Sequence, residues 1–294
     1  MKNSKKIVIA LLSICLSVSA LAACQGAEFS PPQEDSGLQS SPVQEESVPA
    51  PTPPQSSTGS SSSSSSSSSG SSNPTTPNTP TVSTSSQYIS CTGDNVRLRS
   101  GAGTEFSVLG TAEKNTRYAV LGKTGEWYKT YYRGKVAYLH ASYAAVFTLP
   151  KSDNSKVEKV LEEGYKQIGV PYVYGAVRLH DGKGNLLGGF TAQKFDCSSL
   201  VQYVFYKGAN AVLQVNTRTQ VKQGRYVSKS NLQRGDCIYF TNESRQHLTG
   251  VERVGHVAIY LGNDYILHTA SDYARIEKMS ATRWKFYVEA RRFI

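Results

Sequence analysis

The chain has 294 residues, 38% of them apolar and 18% charged, with a formal net charge of +10. That length holds two modest domains, and the basic balance points to anionic partners, nucleic acid among them. No nucleotide loop or metal motif follows residue 88, so neither a cofactor nor a metal is expected.

At the N-terminus Lys2, Lys5 and Lys6 precede an apolar run over 7–20, too short and wrongly flanked for a permanent membrane span. The run ends in Leu21-Ala22-Ala23-Cys24, which resembles a bacterial lipobox. The resemblance implies a lipoprotein signal peptide over 1–23 and a lipid on Cys24, anchoring the chain on the outer face of the cytoplasmic membrane. An exported chain does not meet nucleic acid, which leaves anionic wall polymers as the partners its charge suits.

Residues 24–87 are dominated by Ser, Pro, Thr, Gly and Gln, with an unbroken serine run from Ser60 to Ser69. Such a segment buries too little apolar surface to offset chain entropy and reads as a disordered tether. About 60 residues of this kind have an r.m.s. span of roughly 45 Å and a full reach near ~200 Å.

Over 88–149 short β-rich runs alternate with Gly-containing turns. The order Asn95-Val96-Arg97-Leu98-Arg99-Ser100-Gly101, Val108-Leu109-Gly110, Gly125-Glu126-Trp127-Tyr128 and Gly134-Lys135-Val136-Ala137-Tyr138 resembles a bacterial SH3-like domain, a small all-β barrel. Trp127 and the tyrosines read either as its core or as a binding face.

Within 150–294 the decisive segment is Asp196-Cys197-Ser198-Ser199. Leu200, Val201, Val204 and Phe205 then recur at helical spacing, and Gly208 reads as the stop. Cys197 therefore opens an amphipathic helix, where unpaired N–H groups favour a thiolate and can donate to an oxyanion. Further on, Val257, Ile259 and Leu261 alternate with His256, Ala258 and Tyr260 as a half-buried strand, and Gly262-Asn263-Asp264 turns into a returning strand over 265–270. A hairpin centred near Gly262 or Asn263 gives His256 and His268 one parity, as direct or diagonal neighbours. A thiol with two such imidazoles is the set of an activated nucleophile: Cys197 attacks, His256 takes the proton, and His268 orients His256. A zinc site of the same residues lacks any short Cys-x-x-Cys or His-x-x-x-His pair. His140, His180 and His247 read as surface or loop histidines. Cys91 and Cys237 allow at most one disulfide, and the apolar strand position of Cys237 favours a free thiol.

Five pieces in order resemble the NlpC-type cell-wall cysteine peptidases. They are Gly169-Val170-Pro171-Tyr172-Val173-Tyr174-Gly175, Asp196-Cys197-Ser198, Arg218-Thr219 with Gln223-Gly224, Arg234-Gly235-Asp236 before Cys237-Ile238-Tyr239-Phe240, and Gly255 to Gly262 through His268. The resemblance implies an α+β papain-like domain with the Cys helix on an antiparallel sheet. It implies peptidoglycan stem peptides as substrate, cut between γ-D-glutamate and a diamino acid through a thioester. It also matches Tyr172 to a substrate-orienting or oxyanion-supporting tyrosine, and Asp196 and Ser198 to positions that can hold a stem's free amine. Capping of the Cys197 helix is the other reading of Asp196. Two departures stand out. Ser199 occupies a position where the family usually has Gly, and the stretches over 176–195 and 241–252 read as inserted loops at the rim of the site. Acyl transfer to an amine and non-catalytic wall binding are the alternative functions.

Overall fold

The computed structural model describes residues 85–294; the signal peptide, Cys24 and the tether up to residue 84 lie outside the described residues. Eight strands come first: β1 (Ser85–Cys91), β2 (Val96–Arg99), β3 (Val108–Ala112), β4 (Arg117–Ala119), β5 (Gly122–Thr124), β6 (Trp127–Tyr132), β7 (Lys135–His140) and β8 (Ala144–Pro150). They form two antiparallel sheets, one ordered β3-β2-β7-β6-β5 and the other β4-β1-β8. Ile89, Leu98, Tyr118, Ala137 and Leu139 are buried among them. Trp127 is only half-buried and packs edge-on against His140 at 4.9 Å. The last three residues of the predicted tether, Ser85 to Gln87, are strand, because they pair with Pro150, Leu149 and Thr148 of β8. That ladder is a tertiary contact that a polar composition does not announce.

Downstream lie α1 (Ser155–Lys166), α2 (Cys197–Ala209), α3 (Thr217–Gln220), β9 (Arg225–Val227), β10 (Cys237–Phe240), β11 (His256–Gly262), β12 (Tyr265–Ala270), β13 (Tyr273–Lys278), α4 (Ala281–Lys285) and β14 (Tyr287–Arg292). The strands make one antiparallel sheet, ordered β13-β12-β11-β10-β14-β9. Val257, Ile259 and Leu261 share a cluster with Leu200, Val201 and Val204 of α2. Strand β11 is not half-buried as its alternation suggests. Ala258 on its other face joins Ile238, Phe240, Ile266, Met279 and Ala290, with Trp284 of α4 packed against them.

Helix α2 ends at Asn210, which adopts the left-handed conformation at φ 54°. Gly208 lies inside the helix rather than stopping it. A Cβ there would stand 2.5 Å from the Val160 Cα, so the glycine serves close packing of α2 on α1.

The Arg234-Gly235-Asp236 motif joins the two halves. Arg234 donates to both carboxylate oxygens of Glu158 in α1, at 2.7 and 3.0 Å, and to the Leu261 carbonyl at 3.0 Å. Its Nη2 also reaches the hydroxyls of Tyr88 in β1 and Tyr165 in α1, which are 2.6 Å apart. Asp236 pairs with Arg292 of β14 at 2.6 Å. At the same junction Phe147 of β8 stacks on Tyr265 of β12 at 4.9 Å. The barrel is thus wired into the second half through buried polar groups that satisfy one another.

Candidate active site

Helix α2 begins with a reciprocal capping box. Asp196 Oδ1 accepts the Ser199 N–H at 2.8 Å, and Ser199 Oγ accepts the Asp196 N–H at 2.9 Å. The serine in place of glycine therefore completes the cap. From the next helix Gln220, itself fully buried, donates to the Ser198 carbonyl at 3.0 Å. These bonds fix the first turn and with it Cys197, which is 8% exposed.

Burial dominates the thiol. It pushes Cys197 up to about 12, with the Asp196 carboxylate adding to the rise; the N–H groups of Val257 and Ser198 and the Arg178 cation pull the other way and lose. The expected resting thiolate is replaced by a neutral thiol, because desolvation outweighs the helix terminus. The Val257 contact also brings the sulfur to the start of β11, one residue from His256.

The two histidines meet as their parity predicts. Strands β11 and β12 pair Ile259 with Leu267 and Tyr260 with Ile266 across a two-residue turn in which Asn263 and Asp264 both have positive φ. In that register His256 and His268 are diagonal neighbours, and His256 Nε2 lies 3.0 Å from His268 Nδ1. Beyond them, His268 Nε2 lies 3.1 Å from Glu277 Oε2 on β13. Glu277 in turn accepts from Arg283 of α4 at 3.0–3.2 Å and faces Arg275 at 3.6 Å.

This chain sets the tautomers. Glu277, held well below the usual carboxylate range by His268 and Arg283 against the opposing effect of burial, only accepts hydrogen bonds. His268 must then carry its proton on Nε2, and its Nδ1 accepts from His256 Nε2–H. The lone pair of His256 is left on Nδ1. Burial lowers both rings below the ordinary 6.5, and His268 lowers His256 further, so both are neutral at pH 7.

The Gly169-to-Tyr172 segment forms an edge along the sheet. Gly169 N–H donates to Ala274 O, Ala274 N–H to Val170 O, and Tyr172 N–H to Asp272 O. Phe195 N–H donates to Pro171 O, which ties this edge to the residues leading into Cys197. Tyr172 is raised by burial and by the nearby Cys197 and Asp196 groups, so its phenol keeps its proton as a donor. The carboxylate of Asp196 caps α2 and also pairs with Arg178 at 2.8 Å; Ser198 Oγ accepts from the same arginine at 3.0 Å.

Cys197, His256, His268, Tyr172, Asp196 and Ser198 thus converge at one end of α2. Sequence reasoning missed Glu277, Arg283, Arg178 and Gln220, none of which carries a local spacing signal. His180 is not a surface residue: it is fully buried, packs 5.0 Å from Tyr206, and accepts the Gly182 N–H on Nδ1. His247 is exposed and His140 half-buried. Cys91, Cys197 and Cys237 are all free and buried.

The model of the NlpC/P60 family matches residues 169–292, and that of the bacterial SH3 domain matches 94–145. The chain carries an NlpC/P60 domain. Over 152 residues the chain is 30% identical to a gamma-DL-glutamyl hydrolase of Bacillus subtilis, covering 51% of this chain and 32% of that one. Over 110 residues it is 38% identical to the murein DD-endopeptidase MepS/murein LD-carboxypeptidase of Escherichia coli, covering 37% and 54%. The chain thus spans between about a third and about half the length of these curated relatives. A solved NlpC/P60 family protein from Bacillus cereus aligns at 21% identity and a TM-score of 0.37, covering 71% of this chain and 63% of that one. The NlpC/P60 domain here is an α+β assembly with its Cys helix on an antiparallel sheet, preceded by the small all-β barrel of the SH3 domain.

Proposed function

We propose that this protein is a cysteine endopeptidase of the cell wall, hydrolysing an amide in peptidoglycan stem peptides at the γ-D-glutamyl–diamino acid bond. The observation that carries the reading is the ordered relay His256–His268–Glu277 together with the Val257 N–H contact that brings the Cys197 sulfur to the residue next to His256. The peptidoglycan-directed names of the relatives support the substrate class.

In the first half-reaction the Cys197 thiol gives its proton to His256 Nδ1 as the sulfur bonds to the scissile carbonyl carbon. Both partners start neutral, so proton transfer accompanies attack. Tyr172 O–H and the N–H groups of the first turn of α2 serve the oxyanion. The C–N bond breaks, His256 returns the proton to the leaving amine, and a thioester remains. In the second half-reaction water loses a proton to His256, adds to the thioester carbonyl, and releases the acid and the thiol.

The address belongs to the same proposal: a lipid on Cys24, a tether, and a wall-facing pair of domains whose basic charge suits anionic wall polymers. The test is incubation of defined stem peptides with the protein and its Cys197→Ala variant, with new termini read by mass spectrometry. Cleavage by the variant would sink the assignment of the nucleophile, and a cross-linked product would identify a transferase.

A further inference from the structure

The NlpC-type resemblance matches Asp196 to a position that can hold a peptide's free amine, and in this structure its carboxylate is already matched. Oδ1 accepts the Ser199 N–H at 2.8 Å and the Ser198 hydroxyl at 3.0 Å. Oδ2 meets the Arg178 guanidinium at 2.8 Å, on a side chain only 6% exposed.

The arginine is itself anchored. Its Nε donates to Val215 O at 2.7 Å, its Nη1 to Ala176 O, and its Nη2 to Ser198 Oγ as well as to Asp196. These bonds fasten the loop after Tyr174 to the segment before α3 and to the first turn of α2. The cation is a built part of the site. An ammonium brought to Asp196 would meet this guanidinium where solvent screens little, and the like charges would oppose its entry. A guanidinium has five N–H groups, and the bonds above use four. The remaining Nη1–H suits a neutral acceptor, such as the carbonyl of an acyl group.

Resting on the reading given above, we infer that Arg178 closes the Asp196 carboxylate to a free amine and selects stem peptides whose N-terminal nitrogen is already acylated. Such a nitrogen is found where a stem is still joined to its glycan. The reaction then precedes any step that releases stems as free-amine fragments.

Two matched peptides test this, each L-Ala-γ-D-Glu-diamino acid, one with a free amine and one N-acetylated. Both are titrated calorimetrically into the full chain carrying Cys197→Ala, so that binding is read without turnover. The acetylated peptide is expected to bind tighter, by about tenfold. Equal affinity, or tighter binding of the free amine, overturns this inference alone, because the stem site would still stand. Binding of neither peptide up to millimolar concentration overturns both. Adding Arg178→Met is expected to shift the ratio toward the free amine by at least about tenfold, and an unchanged ratio in a folded variant overturns the role of Arg178.

Discussion

His268 presents Nε2 to Glu277 at 3.1 Å, and that single contact dictates which nitrogen of the ring is left for its neighbour His256. A carboxylate that the sequence did not reveal thereby sets the protonation pattern of both rings.

The first prediction concerns that carboxylate. Glu277→Gln keeps an acceptor for His268 but removes the charge, so kcat should fall roughly 10- to 100-fold with KM nearly unchanged. Glu277→Ala should fall further, because nothing then holds the tautomer. Steady-state kinetics on one stem peptide would check both. A KM effect without a kcat effect would move Glu277 to substrate binding.

Cys197→Ala should lose at least about 10⁴-fold in turnover while retaining the wild-type circular dichroism spectrum and melting temperature within a few degrees. The variant keeps the Cβ and loses one sulfur from the core cluster, which costs about 1 kcal/mol. Retained turnover would assign the chemistry elsewhere.

The pH response follows from the buried imidazoles. His256 must be neutral to accept a proton, and its folded value lies below 6.5, so the acid limb of kcat/KM should fall below pH 6.5. Stability should change in the same direction. With folded values below the unfolded 6.5 for His256 and His268, the unfolded chain binds more protons, and stability is lost as pH falls below 6.5. Glu277, depressed below its ordinary 4.5, adds a further loss as pH falls past that value. Urea titrations from pH 8 to 4 would show a midpoint that declines on acidification. A flat midpoint would place both rings in solvent.

Because the Cys197 thiol is pushed up to about 12, alkylation at this residue should be slow at pH 7 and keep rising through pH 10 without a plateau. Iodoacetamide labelling followed by peptide mass mapping would measure it. A plateau near neutrality would mean a preformed thiolate.

Arg234→Met removes the partner of Glu158 and two acceptors' donor at the junction with β1, and should cost about 3 kcal/mol in urea denaturation. In the parent chain the two tryptophans offer separate reporters, Trp127 in the barrel and Trp284 in α4. Single-tryptophan variants should unfold at the same midpoint if the halves are one cooperative unit.

Much of the site was legible because its parts are local. The alternation around His256 and the Asn263-Asp264 turn fix side-chain parity, and the period of two excludes the one-residue slips that would part the rings, while leaving the direct and diagonal registers to be decided by the turn. The helix after Cys197 was equally readable from Leu200, Val201, Val204 and Phe205. Gly208 was misread as a stop, since a glycine needed for close approach to Val160 has the same letter as one needed for a left-handed cap. Glu277 and Arg178 were invisible for a different reason. Each acts through a partner brought near by the fold, and nothing in their neighbours in sequence separates them from other surface charges. The thiol's rise also escaped, because a helix terminus can be inferred from sequence while the depth of burial around it cannot.

Tyr88 and Phe147 flank the barrel at its two ends in sequence, yet they pack on Tyr165 and Tyr265 of the NlpC/P60 half. An NlpC/P60 domain excised at residue 150 would surrender the hydroxyl that Arg234 uses on β1 and bare a ring that now lies under Phe147. Anyone grafting this NlpC/P60 domain onto a different module should carry β1 and β8 along as its own outer wall.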